Sequence, residues 1–290
     1  MQLKKIISLT NANSRLRFLA MVRSLRATGC QLPIWVIPYN DDLFELPENC
    51  IWWEIKEFTS WLKTRGGSFM MRKYQCLLTD NYQYVDSDVI FLKNPEHILN
   101  NINGFIASCG HWHNPGLTYT GQSKLIFQKK TTTWQKQMFN AGQYACDSTL
   151  YSLAELRLIA ENKNYNFTCL NKKSNDQLGI NLLVFLSKIT VSNLTLQPFN
   201  MQSTWAGDYK DNYESYWSPA TMPYIIHWAG CRMDTNRPID AIMVDYLDKT
   251  ELEEWEEQIK RNTANRRSWR KRVTNNLRII KNTLTNFKLK

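Results

Sequence analysis

Apolar and polar positions fall in short blocks along the chain, and the first few blocks already set its character. Ile6 to Leu9 is an apolar run that predicts a short buried strand, and Thr10 to Ser14 is a polar turn. Arg15 to Ala27 then places Leu16, Leu19, Ala20 and Arg23 on successive turns of a helix that also buries Phe18, Val22 and Leu25. Gly29 stops that helix, Pro33 to Ile37 is a second apolar strand, and Tyr39 to Asp42 is a loop. Strand, helix and strand at this spacing make a βαβ unit and favour a parallel sheet.

The pattern continues in the same style. Ile51 to Ile55 predicts a short strand and Phe69 to Leu78 a helix, which leads into a strand over Tyr82 to Val85 that ends in Asp86-Ser87-Asp88. Val89 to Leu92 follows, closed by Asn94 and Pro95, and Phe105 to Ser108 reads as another strand. Gly110 to Gly121 is a loop that contains His111 and His113. Helix formers dominate Ser148 to Ile159, with Ser152 and Glu155 at capping-box spacing. Asp176 to Leu186 starts as a helix, and Ile189 to Leu196 alternates as a strand on a sheet edge or in a second small sheet. Asn200 to Pro223 is an aromatic-rich ordered loop, Tyr224 to His227 a strand, and Glu251 to Ile259 an acidic helix. With no internal repeat and no low-complexity linker, the reading is one α/β domain over residues 1–250 with a helical appendage over 251–290.

Composition changes this picture in one place. The chain of 290 residues is 12% aromatic, which excludes disorder, and carries a formal charge of +10. Residues 261–290 hold ten basic side chains and no acidic one, so the rest is balanced at 26 against 26. In that segment Trp269, Val273, Leu277, Ile280, Leu284 and Phe287 form an apolar stripe at helix period. Such a helix can lie on an anionic membrane surface, pack on its own domain or a partner, or touch nucleic acid; the neutral remainder of the chain makes nucleic acid the least favoured. No apolar run approaches the roughly 18 residues that span a bilayer, and the N-terminus lacks a secretory pattern, so the expectation is a cytoplasmic protein, peripheral on the membrane if the tail docks there. The seven cysteines stand singly with no CxxC, which points to small buried hydrophobes rather than disulfides or zinc.

The segment richest in chemistry is Asp86-Ser87-Asp88. Two carboxylates interrupt an apolar, strand-like run, and burying both ionised without a counter-charge would cost several kcal/mol. At a strand end they can converge on a hard divalent ion, Mn²⁺ or Mg²⁺, which typically also holds phosphate oxygens. The alternative is a solvent-facing turn. His111 and His113 lack a third ligand for a zinc site and belong to a surface or acceptor-cleft loop.

With Asn94 and Pro95 behind it, the stretch from Tyr84 to Leu92 resembles the D-x-D region of nucleotide-sugar-dependent glycosyltransferases of the GT-A fold. Phe139 to Gly142 is similar to the Phe-Asn-x-Gly turn of the retaining branch that includes glycogenin and bacterial lipopolysaccharide galactosyltransferases. Asp176, Gln177 and Asn181 resemble its Asp-Gln-(x)3-Asn helix start, and His227 to Gly230 its His-x-x-Gly. The resemblance covers residues 3 to 235 and implies a GT-A fold, a Rossmann-like mixed sheet flanked by helices, with Mn²⁺ or Mg²⁺ held by Asp86, Asp88 and His227 against the diphosphate of a donor, a UDP-hexose by preference. It implies nucleoside contacts from Thr10, Asn11 and Asn13 and from Asp41 or Asp42. Asn140, Gly142 and Gly230 would line the donor site. Asp176 and Gln177 would stand near the anomeric carbon, the first as a partner of sugar hydroxyls and the second on the face opposite the leaving group. Arg72 and Lys73 can pair with a carboxylate or with the diphosphate. The sequence departs from the branch after Gly230, where Met233 occupies the place of a lysine; Arg232 or Arg237 can supply that charge. The implied reaction is sugar transfer to a glycan or lipid-linked acceptor with retention. Were it inverting, Asp147 or Asp208 would be the base. A nucleotidyltransferase would need a glycine-rich phosphate loop, which Thr10 to Ser14 does not contain, and a non-enzymatic membrane or nucleic-acid binder would depend on the tail alone.

Overall fold

A computed structural model describes residues 1–162, 176–233 and 237–266. Asn175, Cys169 and the apolar stripe from Trp269 onward lie outside these residues. The opening strand, helix and strand are present as β1 (Lys5–Thr10), α1 (Arg15–Ala27) and β2 (Ile34–Pro38), and Gly29, at φ 85°, closes α1 in a conformation that suits glycine. β3 (Cys50–Trp52) and α2 (Lys56–Thr64) follow, then β4 (Tyr82–Asp86), β5 (Val89–Phe91), α3 (Pro95–Leu99) and β6 (Phe105–Ala107). The second half holds α4 (Gly121–Gln128), α5 (Trp134–Gln137), β7 (Gln143–Cys146), α6 (Leu153–Glu161), α7 (Asp176–Ser187), β8 (Val191–Asn193), β9 (Ile225–His227) and α8 (Pro238–Val244). Residues 249–266 form a further helix, α9.

Seven strands make one mixed sheet in the order β3-β2-β1-β4-β7-β6-β8, and β5 pairs with β9 in a small second sheet. β1 lies parallel to β2 and to β4, whereas β7 is antiparallel to both β4 and β6. All six residues of β1 are buried, as expected of a central strand covered on both faces. Ile7 and Leu9 face one core with Tyr82, Tyr84 and Tyr144, while Ile6 faces the other with Phe18, Met21, Val22 and Leu25 of α1. Each such side chain contributes about 1.5–3 kcal/mol when fully buried, so α1 is held by its apolar face.

Several elements follow their local signals closely. Ser152 caps α6 and exchanges hydrogen bonds with Glu155 in a capping box, and the strand expected near Ile189 is β8, at the sheet edge. Phe69–Leu78, expected as a helix, winds as a 3-10 stretch that is buried from Lys73 to Leu77, with the Gln75 amide reaching Ile55 N and Trp53 O at 2.9 and 3.0 Å. β7 and the helices α2, α3, α4, α5 and α8 have no counterpart among the sequence expectations. Cys30, Cys76, Cys109 and Cys146 are buried and Cys50 and Cys231 half-buried. Burial pushes the Cys30 thiol up to about 11, so it does not serve as a thiolate.

Candidate metal centre

Two pairings bring the site together. Asp86 ends β4, one residue past the position where Val85 faces Gln143, and its N–H donates to Gly142 O at 2.7 Å. The chain turns at Ser87, and Asp88 precedes β5, whose Val89 pairs with His227 of β9. Ligand atoms of Asp86, Asp88 and His227 all lie within 4.8 Å of one another, the only such trio of His, Cys, Asp or Glu among the described residues. His227 Nε2 stands 3.2 Å from Asp88 Oδ1 and 3.8 Å from Asp86 Oδ2. That nitrogen is buried and makes no hydrogen bond with any described residue, because neither carboxylate meets it in hydrogen-bonding geometry. A buried imidazole nitrogen aimed at two carboxylates without a hydrogen bond to either fits a shared divalent cation, held by two oxygens and one nitrogen.

The electrostatics of the trio agree. Burial depresses the His227 imidazole, but the neighbouring Asp88 and Asp86 carboxylates outweigh it and hold the ring above its ordinary value. Burial likewise raises Asp88, yet the charge and proximity of His227, with Arg17 further off, bring it below the usual carboxylate range.

Asp86 is held from behind. Its Oδ1 accepts from the Tyr84 hydroxyl at 2.5 Å and lies 3.3 Å from Lys73 Nζ, leaving Oδ2 towards His227. Tyr84 stands two residues earlier on the same face of β4, the alternation of a strand. Lys73 is 1% exposed and lies 3.3 Å from Asp86, from Asp176 Oδ2 and from the Ala141 carbonyl. Burial disfavours its charge, but the two carboxylates overcome this and raise its pKa.

The turn from Phe139 to Gly142 is gripped from α7. Asn181 accepts from Phe139 N at 3.1 Å and donates to Phe139 O at 3.0 Å. Gln177 accepts from Ala141 N at 2.8 Å and donates to Phe139 O. Both ends of the Gln177 amide thus bind backbone, which makes it a positioning residue for the turn. Asn140 folds back to accept from Gly142 N at 2.8 Å.

Two cavities meet at Asp86. One of about 270 Å³ is lined by Thr10, Asn11, Ser14, Arg17, Tyr39 and Asp88, at the carboxyl ends of β1 and β2. The other, about 530 Å³, is polar and lined by Lys73, Thr118, Asn140, Gly142, Asp176, Gln177 and Gly230. Asn13 and Asp41 are exposed and line neither. Arg72 turns away, donating to Pro38 O at 2.8 Å and lying 3.7 Å from Glu54. Arg232 is exposed and outside both cavities, and Arg237 forks onto Asp240 and donates to Ala206 O.

The two histidines of the Gly110 loop diverge on a 3-10 turn: His111 is buried and His113 exposed. His111 Nε2 lies 3.0 Å from Asp208 Oδ2, which also accepts from Ser203 Oγ. Asp147 sits past the end of β7 that pairs with Tyr82, the start of β4, and so at the opposite end of the sheet from Asp86. Sequence reasoning missed Arg17, Tyr39, Tyr84 and the His111–Asp208 contact. The strand period alone would have found Tyr84.

No family model and no curated protein sequence matches the chain. Among solved structures, it resembles the glycosyltransferase GlyE of Streptococcus pneumoniae TIGR4 in its apo form, at 12% identity over 89% of this chain and 64% of that one, with a TM-score of 0.48. A second GlyE structure gives 13%, the same coverage and 0.48. The apo structure of the bifunctional glycosyltransferase WbbM gives 12% over 90% of this chain and 51% of that one, with a TM-score of 0.52. This chain therefore spans 64% of GlyE and about half of WbbM. What is shared is the fold, a mixed sheet flanked by helices of the GT-A-like type.

Proposed function

We propose that this chain is a metal-dependent glycosyltransferase that moves a hexose from a nucleotide-sugar, a UDP-sugar, to a glycan or lipid-linked acceptor with retention. The observation that carries the reading is the convergence of Asp86, Asp88 and His227, whose Nε2 makes no hydrogen bond with any described residue, where the two cavities meet. The smaller cavity receives the nucleoside, with Thr10 and Asn11 at its floor, and the larger one receives the sugar between Asn140, Gly142 and Asp176. Asp86, Asp88 and His227 would hold Mn²⁺ or Mg²⁺, which when bound would offset the negative charge of the leaving diphosphate. Asp176, fixed by Lys73, hydrogen-bonds sugar hydroxyls, while Gln177 and Asn181 hold the Phe139–Gly142 turn against the sugar.

Retention is supported by the two carboxylates that inversion would require. Asp147 lies at the far end of the sheet, and Asp208 is engaged by His111 and Ser203. In the retaining reaction the acceptor oxygen joins the anomeric carbon on the face that the diphosphate leaves, and its proton passes to the departing phosphate oxygen. Among the described residues no helix is long and apolar enough to cross a membrane. In this proposal the basic segment 261–290 docks the enzyme on an anionic surface that carries a lipid-linked acceptor.

The test is a mass-spectrometric screen of purified protein with Mn²⁺ and a panel of nucleotide-sugars. Hydrolysis or transfer from a UDP-sugar is expected. If no nucleotide-sugar is consumed and neither UDP nor GDP raises the melting temperature, the reading is overturned.

A further inference from the structure

Helix α1 carries four arginines, and three of them are engaged by acceptors on the protein. Arg15 pairs with Glu254, Arg23 with Glu251, and Arg26 donates to the carbonyls of Cys30 and Leu32. Arg17 is different. It lines the smaller cavity beside Asp88 and Ser14, and its guanidinium has no hydrogen bond or ion pair with any described residue. The ring of Trp255 on α9 lies 5.8 Å from it, and its charge acts on Asp88 across the cavity. Trp255 is itself buried, so the cation rests on a fixed aromatic surface with its donors unused.

Counting charge in the cleft shows what those donors face. Asp86 and Asp88 offset a divalent cation, His227 as a ligand is neutral, and Lys73 is offset by Asp176. Among the described residues that line the two cavities, Arg17 is the cation that makes no hydrogen bond or close ion pair. A diphosphate brings at least two negative charges there, and a guanidinium fork matches phosphate oxygens in pairs.

We propose that Arg17 is a phosphate-binding residue of the cleft and that Trp255 positions it, which makes helix α9 a working part of the diphosphate site. The proposal rests on the reading of the cleft as a nucleotide-sugar site and adds a residue and an element to it. Because α9 is clamped to α1 through the Arg15–Glu254 and Arg23–Glu251 pairs, whose arginines flank Arg17 along α1, whatever shifts α9 also shifts Arg17.

The experiment is calorimetric titration of the full chain with UDP, inorganic pyrophosphate and Mn²⁺ alone, for wild type, Arg17→Met, Arg17→Lys and Trp255→Leu, each checked for folding by circular dichroism. Arg17→Met is expected to lower affinity for UDP and pyrophosphate in the presence of Mn²⁺ by about 10- to 100-fold, with Mn²⁺ alone bound as tightly as before. Arg17→Lys is expected to lose about half of that effect on a logarithmic scale, and Trp255→Leu to lower UDP affinity by about 3- to 10-fold without changing Mn²⁺ affinity. Wild type that binds UDP while Arg17→Met and Arg17→Lys bind it equally well would overturn the role of Arg17 and leave the donor reading standing. Unchanged UDP affinity in Trp255→Leu would overturn the part assigned to α9. Wild type that binds neither UDP nor pyrophosphate would remove both the donor reading and this proposal.

Discussion

Gly142 stands so close to His227 that a β-carbon on it would lie 2.3 Å from the imidazole Cε1 and 2.8 Å from Nε2, with Asp86 Oδ2 at 2.4 Å. The glycine is needed for space, because the hydrogen bond from Asp86 N to Gly142 O draws the turn onto the trio. Gly142→Ala must therefore displace His227 or Asp86. Overpacking of this kind costs about 1–3 kcal/mol, and we expect a fall of a few degrees in melting temperature together with at least about a tenfold loss of Mn²⁺ affinity. Titration calorimetry that finds Mn²⁺ binding intact would show that the three side chains do not act as one centre.

Metal removal provides a direct measure of the trio. A ligand at about 100 times its dissociation constant stabilises the folded state by about 2.7 kcal/mol, so Mn²⁺ is expected to raise the melting temperature of wild type. Chelation is expected to abolish that rise and nucleotide-sugar turnover together. The double substitution Asp86→Asn with Asp88→Asn is expected to melt at the same temperature with and without Mn²⁺, and to lose turnover by at least about 100-fold.

Lys73 connects two carboxylates from distant segments while being almost fully buried. Removing its charge leaves Asp86 and Asp176 facing each other without a cation. Breaking a fully buried pair costs about 3–5 kcal/mol; both carboxylates here keep some water, so we expect about 2–3 kcal/mol for Lys73→Met in urea unfolding. Asp176→Asn in the Lys73→Met background is expected to recover part of the loss. Strict additivity in that double-mutant cycle would show that the two residues are not coupled.

Glu251 ties α9 to α1 through Arg23, and the guanidinium that donates to it holds its carboxyl below the ordinary value of 4.5. A group whose pKa is depressed by folding contributes stability above its unfolded value, and that contribution is lost as pH falls through the folded one. The stability difference between wild type and Glu251→Gln is therefore expected to be constant above about pH 5 and to close as the pH drops below 4.5. Urea unfolding across this range checks the sign; a gap that widens in acid would contradict the pairing.

The legible parts of the fold share a feature: their signals are local. β1, α1 and β2 follow from periodicity and from Gly29, and α6 starts where Ser152 and Glu155 form their box. β7 escaped because its four residues sit directly after a glycine turn and owe their extended form to β4 and β6 on either side. The 3-10 winding of Phe69–Leu78 escaped for a related reason, since the segment is buried from Lys73 to Leu77 and ties its Gln75 to the β3–α2 connection.

In the site, the chain order of Asp86, Asp88, Asn140, Gly142, Asp176, Gln177 and His227 was readable as residue types capable of binding a metal and a sugar. The local pattern also showed that Asp86 and Asp88 end a strand, and that the whole charge excess sits in residues 261–290. Only the tertiary structure decided that His227 meets the two carboxylates, that Lys73 faces Asp86 and Asp176 while Arg72 turns away, and that Gln177 grips a backbone turn. It also decided that Arg17 alone of the arginines of its helix lines the cleft, with no hydrogen bond or close ion pair to any described residue. The reason is physical: periodicity records which face of an element is buried, whereas the partner of a buried charge is chosen by strand register and element packing between segments far apart in the chain.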